Sequence, residues 1–223
     1  MNDAERADYL ENLLATFLKP IKGIPFPVVI KAICGNAVED LDVTNPSDAA
    51  LIEALKQTAV ITARLVCQSP IRRPRPNEVG NDLEPFVRQA ANQAGLTASA
   101  PKSKAGRGQQ VGYPDILIHD KAGRATYLEV KSFADGSDAT TMRSFYLSPS
   151  ANPKVCMDAR HIVLGFGVEA KSISGSRDSF YTAVSYKLIN LYELQCDVKY
   201  EFNSDNRRMY ADGLVLASGK LGR

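Results

Sequence analysis

The chain has 223 residues, 44% hydrophobic and 23% charged, with a formal net charge of +2. That is enough for one sizeable domain with a full core, or a domain with a helical appendage, and no stretch approaches the apolar length of a membrane span. Cys34, Cys67, Cys156 and Cys196 are scattered through apolar patterns without zinc spacing, and the N-terminus is acidic and lacks an apolar signal core, so the protein is expected to be cytoplasmic with reduced thiols.

The first seventy residues read helical. Residues 3–18 put Leu10, Leu13, Leu14, Phe17 and Leu18 on one face and stop before Pro20. After a proline-rich connector and the apolar run 28–34, Asn45-Pro46-Ser47 caps a longer helix over 48–67. Nothing in this region carries chemistry, so residues 1–70 are expected to form a helical N-terminal subdomain and 71–223 the functional core. These helices could pack on the rest of the fold, form a dimer surface or flank a bound partner.

The basic run Arg72-Arg73-Pro74-Arg75 is stiffened by its prolines. A helix is predicted from residue 77 to the stop signal at Gly95, with Val79, Leu83, Phe86, Val87 and Ala90 as its buried stripe and Pro85 near its start or at a kink. The polar segment 99–112 contains Lys102, Lys104 and Arg107, which suit phosphate contacts, and Gln109 and Gln110, which suit base edges. From Arg72 to Gln110 there are seven basic residues (Arg72, Arg73, Arg75, Arg88, Lys102, Lys104, Arg107) against three acids (Glu78, Asp82, Glu84), a local bias more telling than the net charge.

Residues 116–119 and 125–133 are both strand-like, and the polar loop between them, with Gly123, closes a β-hairpin. A three-residue loop at 121–123 sets Asp120 opposite Arg124 and, counting back, Asp115 opposite Glu129. Opposed residues share a face of the ladder, and so do Glu129 and Lys131 on one strand. Asp115, Glu129 and Lys131 therefore converge, while Val130 points into the core. Two carboxylates at coordinating distance suit Mg²⁺ or Mn²⁺, and a neighbouring lysine can orient water or stabilise developing charge.

Pro114-Asp115 followed by Glu129-Val130-Lys131 resembles the signature of the PD-(D/E)xK phosphodiesterases, and the chain looks most like a type II restriction endonuclease of that superfamily. The resemblance implies an α/β (α+β) fold with a mixed central β-sheet flanked by helices, here with an N-terminal helical region. It implies Mg²⁺-dependent hydrolysis of both strands of double-stranded DNA at a short specific sequence, with 5′-phosphate and 3′-hydroxyl products. It also implies a homodimer, because a two-fold protein matches a palindromic target, and a protective DNA methyltransferase as genetic partner. Asp115, Glu129 and the Val130 carbonyl would hold metal and Lys131 would act on the attacking water. Enzymes of this kind often place a glutamate on the helix before the hairpin. Gly80-Asn81-Asp82-Leu83-Glu84 is similar to their pattern and points to Glu84, with Glu78 the alternative.

The segment after the E-x-K strand often carries specificity in such enzymes. Here 143–154 is dense in hydroxyls, amides and bases, so Arg143, Ser148, Ser150, Asn152 and Lys154 are expected to touch DNA. Further on, residues 161–168 read as a buried strand, 181–195 as a helix, 198–202 as a strand, and 203–210 as a polar turn with Arg207 and Arg208. His119 and His161 read as structural. Two other readings fit the same residues: a repair or recombination nuclease of that superfamily that reads DNA structure, and a DNA-binding module without catalysis.

Overall fold

The computed structural model describes residues 2–19, 21–108, 112–137, 145–200, 204–209, 211–215 and 217. Gln109, Gln110 and Arg143 lie outside the described residues, as do positions 201–202 of the strand expected near the C-terminus. In chain order the elements are α1 (Asp3–Phe17), β1 (Ile24–Pro25), α2 (Phe26–Cys34), β2 (Val38–Glu39), α3 (Pro46–Gln68), β3 (Ile71–Arg73), α4 (Gly80–Gln93), β4 (Thr97–Ser99), β5 (Ile116–His119), β6 (Ala125–Ala134), β7 (Ala159–Ser172), β8 (Ser179–Asn190), β9 (Gln195–Cys196) and α5 (Asn206–Met209), with 3₁₀ turns at Pro76–Glu78 and Asp212–Leu214.

The chain divides into two compact units, residues 24–196 and residues 1–23 with 197–223. In the smaller unit, α1 is opened by a capping box in which the Asn2 side chain accepts from the Glu5 amide at 2.9 Å and the Glu5 carboxylate accepts from the Asn2 amide at 2.8 Å. None of its residues is buried, and Tyr9, Leu10, Leu13, Leu14 and Phe17 are exposed. The Gly23 amide donates to Asp197 Oδ1 at 3.0 Å, and the Val198 amide to the Ile21 carbonyl at 2.9 Å.

The larger unit is built on a mixed sheet of order β3-β8-β7-β6-β5-β4, with β2 pairing the start of β7. The β6–β7 and β2–β7 pairs are parallel and the rest antiparallel. Alternation along the strands gives the sheet two apolar faces. Ile116, Ile118, Leu128, Val130, Ile162, Leu164 and Phe166 pack against Leu51, Leu55, Ala59 and Val66 of α3 and Leu83, Val87 and Ala91 of α4. On the other face Tyr127 and Val163 pack with Phe26 and Ile30 of α2, Val155 and Leu191. Thus α3, which the sequence places in an N-terminal helical part, covers one face of the sheet.

The helix expected over 181–195 is the strand β8, paired with β7 along Ser179–Asn190 and with β3 on its other edge. Val184, Leu188 and Ile189 satisfy either period over so short a run, and the two open edges beside it decide for the strand. Residues 198–200, expected to begin a strand, are not in one. Helix α4 begins at Gly80 after the 3₁₀ turn and runs through Pro85 unbroken.

A buried charge cluster fixes the hairpin to α3. Asp48, 2% exposed in the first turn of α3, accepts from Arg124 Nη1 at 2.5 Å and pairs with Arg160 Nη2 at 3.2 Å, and Arg124 Nε also donates to Asp120 at 2.7 Å.

Candidate active site

The hairpin has the register counted from its loop. Ile116 faces Leu128 and His119 faces Ala125, Asp120 N–H donates to the Arg124 carbonyl at 3.2 Å, and continuation past Ile116 sets Asp115 beside Glu129. Beyond Ile116 the ladder ends, and Asp115 replaces it by accepting the Val130 amide on Oδ2 at 2.8 Å. In a strand the amide and carbonyl of one residue point to the same edge. The Val130 carbonyl therefore faces the place vacated by β5, next to the backbone of Gly80, where an added Cβ would stand 3.8 Å from it.

Val130 is in the core at 3% exposure, so its neighbours Glu129 and Lys131 project together on the opposite face. Lys131 Nζ lies 2.7 Å from Glu129 Oε1 and 5.8 Å from the centroid of the Tyr146 ring. Glu129 is 4% exposed, and its Oε2 has no hydrogen-bond partner among the described residues. Burial, then the Asp115 charge, pushes the Glu129 carboxyl up to about 7, against the pull of Lys131 and Lys154. Burial raises Asp115 too, opposed by the Val130 amide and by Lys131 and Lys154. Glu84 on α4 is pushed up to about 7 by burial and by the Asp115 charge. Glu78 is exposed in the 3₁₀ turn, so Glu84 is the helix glutamate that feels the hairpin carboxylates.

Lys154, expected from the sequence to touch DNA, is buried beside these acids. Desolvation lowers its pKa, while Asp115, Glu129 and Glu84 act in the other direction. The apolar Val155 that follows it, itself buried, was the available signal that this stretch turns inward. A second feature not foreseen is a link between the hairpin and the core behind it: the Tyr113 hydroxyl and His161 Nδ1 are 2.5 Å apart. Burial drives His161 down to about 3, so it is neutral.

The other expected DNA contacts divide into paired and unpaired groups. Arg72 Nε donates to Asp178 at 2.9 Å, and Arg73 grips Asp82 with two bonds of 2.5 and 2.7 Å. Arg75, Lys104 and Arg107 are exposed, as are Lys102, whose backbone bridges Gly108, and Ser148 and Ser150. Asn152 is instead a clamp: its Oδ1 accepts the Ala105 amide at 2.7 Å and its Nδ2 donates to Ser103 Oγ at 2.9 Å.

The donor set fits a hard divalent cation. Asp115, Glu129 and the Val130 carbonyl supply oxygens only, one carboxylate oxygen is buried and unpartnered among the described residues, and burial holds both acids above their ordinary range, with the Asp115 charge adding to the rise at Glu129. Among the described residues no three His, Cys, Asp or Glu side chains converge closely enough to hold an ion by themselves. Glu84 therefore stands outside the immediate donor set.

A mixed sheet whose central hairpin carries this carboxylate–lysine cluster, with helices packed behind it, defines the class of protein: a nuclease with a restriction-endonuclease-like core. The comparisons with known proteins are specific. Residues 20–213 match the model of the type II restriction enzyme MjaV family, and the chain belongs to that family. The type II restriction enzyme MjaV of Methanocaldococcus jannaschii is 32% identical over 231 aligned positions, covering 97% of this chain and 97% of that protein. No solved structure matches the chain. The protein is thus a restriction endonuclease, and no helix among the described residues is long and apolar enough to cross a membrane.

Proposed function

We propose that the protein hydrolyses both strands of double-stranded DNA at a short specific sequence in a Mg²⁺-dependent reaction, with Mn²⁺ able to substitute, and leaves 5′-phosphate and 3′-hydroxyl ends. The observation that carries this reading is the convergence of Asp115, Glu129 and Lys131 around the Val130 peptide, with Glu129 Oε2 buried and unpartnered among the described residues.

In this reading Asp115, Glu129 and the Val130 carbonyl hold the cation. When bound, a divalent cation neutralises charge on the phosphate and lowers the pKa of the attacking water. Lys131 is directed along the face of β6 by strand alternation and donates to the water, fixing a lone pair toward phosphorus. The water oxygen bonds to phosphorus as the bond to the 3′-oxygen breaks; the water gives up one proton to solvent and the departing 3′-oxygen takes one from solvent, leaving a 5′-phosphate and a 3′-hydroxyl. Glu84, near enough to respond to the Asp115 charge, orders water at the rim of the site. Arg75, Lys104, Arg107, Ser148 and Ser150 are exposed and contact the DNA backbone or bases. The functional form is a homodimer in the cytoplasm, one site per strand, with a methyltransferase protecting the host's own copies of the sequence.

The test is incubation of the purified protein with unmethylated phage DNA in Mg²⁺ and, separately, in EDTA. Discrete bands that require the metal, with ends carrying 5′-phosphate, are expected. Intact DNA, or bands that persist in EDTA, would refute the reading.

A further inference from the structure

We propose that Lys154 is a second catalytic cation of this enzyme, distinct from Lys131, and that its ammonium contacts the phosphodiester being cut. The inference rests on the reading of the Asp115–Glu129–Lys131 cluster as the cleavage site.

Lysine is seldom buried unless it is paired. Lys154 is 5% exposed, yet among the described residues no carboxylate oxygen lies within ion-pairing distance of it. Lys131, in contrast, is committed to Glu129 at 2.7 Å. The buried position of Lys154 is enforced from both sides. Before it, the Pro153 carbonyl accepts the Lys104 amide at 2.9 Å, and Asn152 ties the backbone to Ser103 and Ala105. After it, Val155 is in the core at 2% exposure, its carbonyl accepts from Asn36 Nδ2 at 3.0 Å, and the Cys156 amide donates to the Tyr127 hydroxyl at 2.9 Å. Tyr127 is two residues before Glu129 on β6, so this last bond sets residues 154–156 along the strand face that bears the carboxylate.

The result is a lysine buried on the side of β6 that bears the acids and, among the described residues, without an ion-pair partner. An approaching duplex meets the exposed bases first, and only a phosphate drawn down to Asp115 and Glu129 comes within reach of Lys154. Charge on that phosphate grows as the bond breaks, and a fixed cation that needs no rearrangement stabilises that stage most. Asn152 is then a positioning residue that acts through the backbone of its neighbours.

The experiment uses Lys154→Met, which keeps the aliphatic stem, and Lys154→Arg, which keeps the charge, with Asp115→Asn in parallel on a duplex containing the mapped site. Lys154→Met should slow single-turnover cleavage in Mg²⁺ by about 10²–10³-fold, the scale of losing one preorganised charge-stabilising group. Its affinity for the same duplex in Ca²⁺ should change less than about threefold and its Tm should not fall, because the stem still packs and no ion pair is lost. Lys154→Arg should stay within about tenfold of the wild-type rate, since the charge is retained on a different head group. A wild-type rate in Lys154→Met would overturn the assignment. So would a loss of rate matched by an equal loss of affinity, or a folded Lys154→Arg as slow as Lys154→Met. If Asp115→Asn itself cuts normally, the parent reading of the site fails; if it is inactive while Lys154→Met is normal, only the role of Lys154 fails.

Discussion

The Val130 amide donates to the Asp115 carboxylate at 2.8 Å, at the point where β5 stops pairing with β6. One peptide thereby organises the whole cluster. Its side chain anchors β6 in the core, its amide orients Asp115, and its flanking residues, Glu129 and Lys131, are turned to the opposite face. The aspartate is oriented by a backbone group, so its placement does not depend on any mobile side chain.

Asp115→Asn should separate structure from chemistry. The amide oxygen of asparagine still accepts the Val130 N–H, so the thermal midpoint should be close to wild type, while loss of the charge should lower Mg²⁺-dependent cleavage by on the order of 10²–10³-fold or more. Asp115→Ala should be as inactive and also destabilised by about 1–3 kcal/mol, the cost of leaving a buried amide unsatisfied. Denaturant unfolding and cleavage assays on the two variants check both halves. Equal stability of the two would mean the 2.8 Å bond contributes little.

The buried charge cluster behind the hairpin predicts a different pattern. Asp48→Ala removes the acid between Arg160 and Arg124, which keep Glu39 and Asp120 as partners, so unfolding free energy should fall by about 1–3 kcal/mol, the cost of lost charge-assisted hydrogen bonds. The native enzyme at low temperature should retain cleavage, because Asp48 touches none of Asp115, Glu129 or Lys131. A large loss of activity in a protein that is still folded would contradict this.

How far the sequence could be read depended on whether local rules were sufficient. The hairpin was legible because a short loop, strand alternation and the ends of the apolar runs all required one register, and Asp115, Glu129 and Lys131 follow from it. The stripe of Val79, Leu83 and Val87 made α4 legible as a helix, while Glu84 was singled out only by the resemblance of Gly80-Asn81-Asp82-Leu83-Glu84 to a family pattern. Residues 181–195 were not, since Val184, Leu188 and Ile189 suit either period and pairing with β7 and β3, distant in sequence, settled the matter. For the same reason the sequence did not show that Arg72 and Arg73, read as part of a proline-stiffened basic run, belong to a strand and pair with acids brought in by β8's preceding turn and by α4. The burial of Lys154 was not legible, because it comes from tertiary bonds to Tyr127, Asn36 and the 103–105 loop.

The pairing of the arginines makes a test of DNA electrostatics possible. Arg75 is exposed and has no ion-pair partner among the described residues, so Arg75→Ala should reduce the slope of log K against log salt by about 0.9, one counterion's worth. Arg73 is held by two bonds to Asp82, and Arg73→Ala should change the slope by less. Titrations of a duplex in Ca²⁺ over a range of salt would decide it, and equal slopes for the two variants would mean that DNA draws Arg73 away from Asp82.

The carboxylates make the metal-free protein sensitive to pH in an unusual direction. Glu84 and Glu129 sit at about 7 in the folded protein against 4.5 ordinarily. Between those values the native state holds more protons than the unfolded state, so stability falls as pH rises through that window and the full penalty is present above it. The metal-free enzyme should therefore melt lower at pH 8 than at pH 5. Glu129→Gln and Glu84→Gln should each raise the pH 8 midpoint, on the order of a few °C for a chain of this size, and flatten the dependence. Ca²⁺ should stabilise the wild type at pH 8, since a ligand that binds only the folded state raises its stability, and should do so much less in Glu129→Gln. Calorimetric scans in EDTA and in Ca²⁺ at the two pH values check this, and a Glu129→Gln variant that is less stable than wild type at pH 8 in EDTA would mean that Lys131 needs the Glu129 charge more than the buried site resists it.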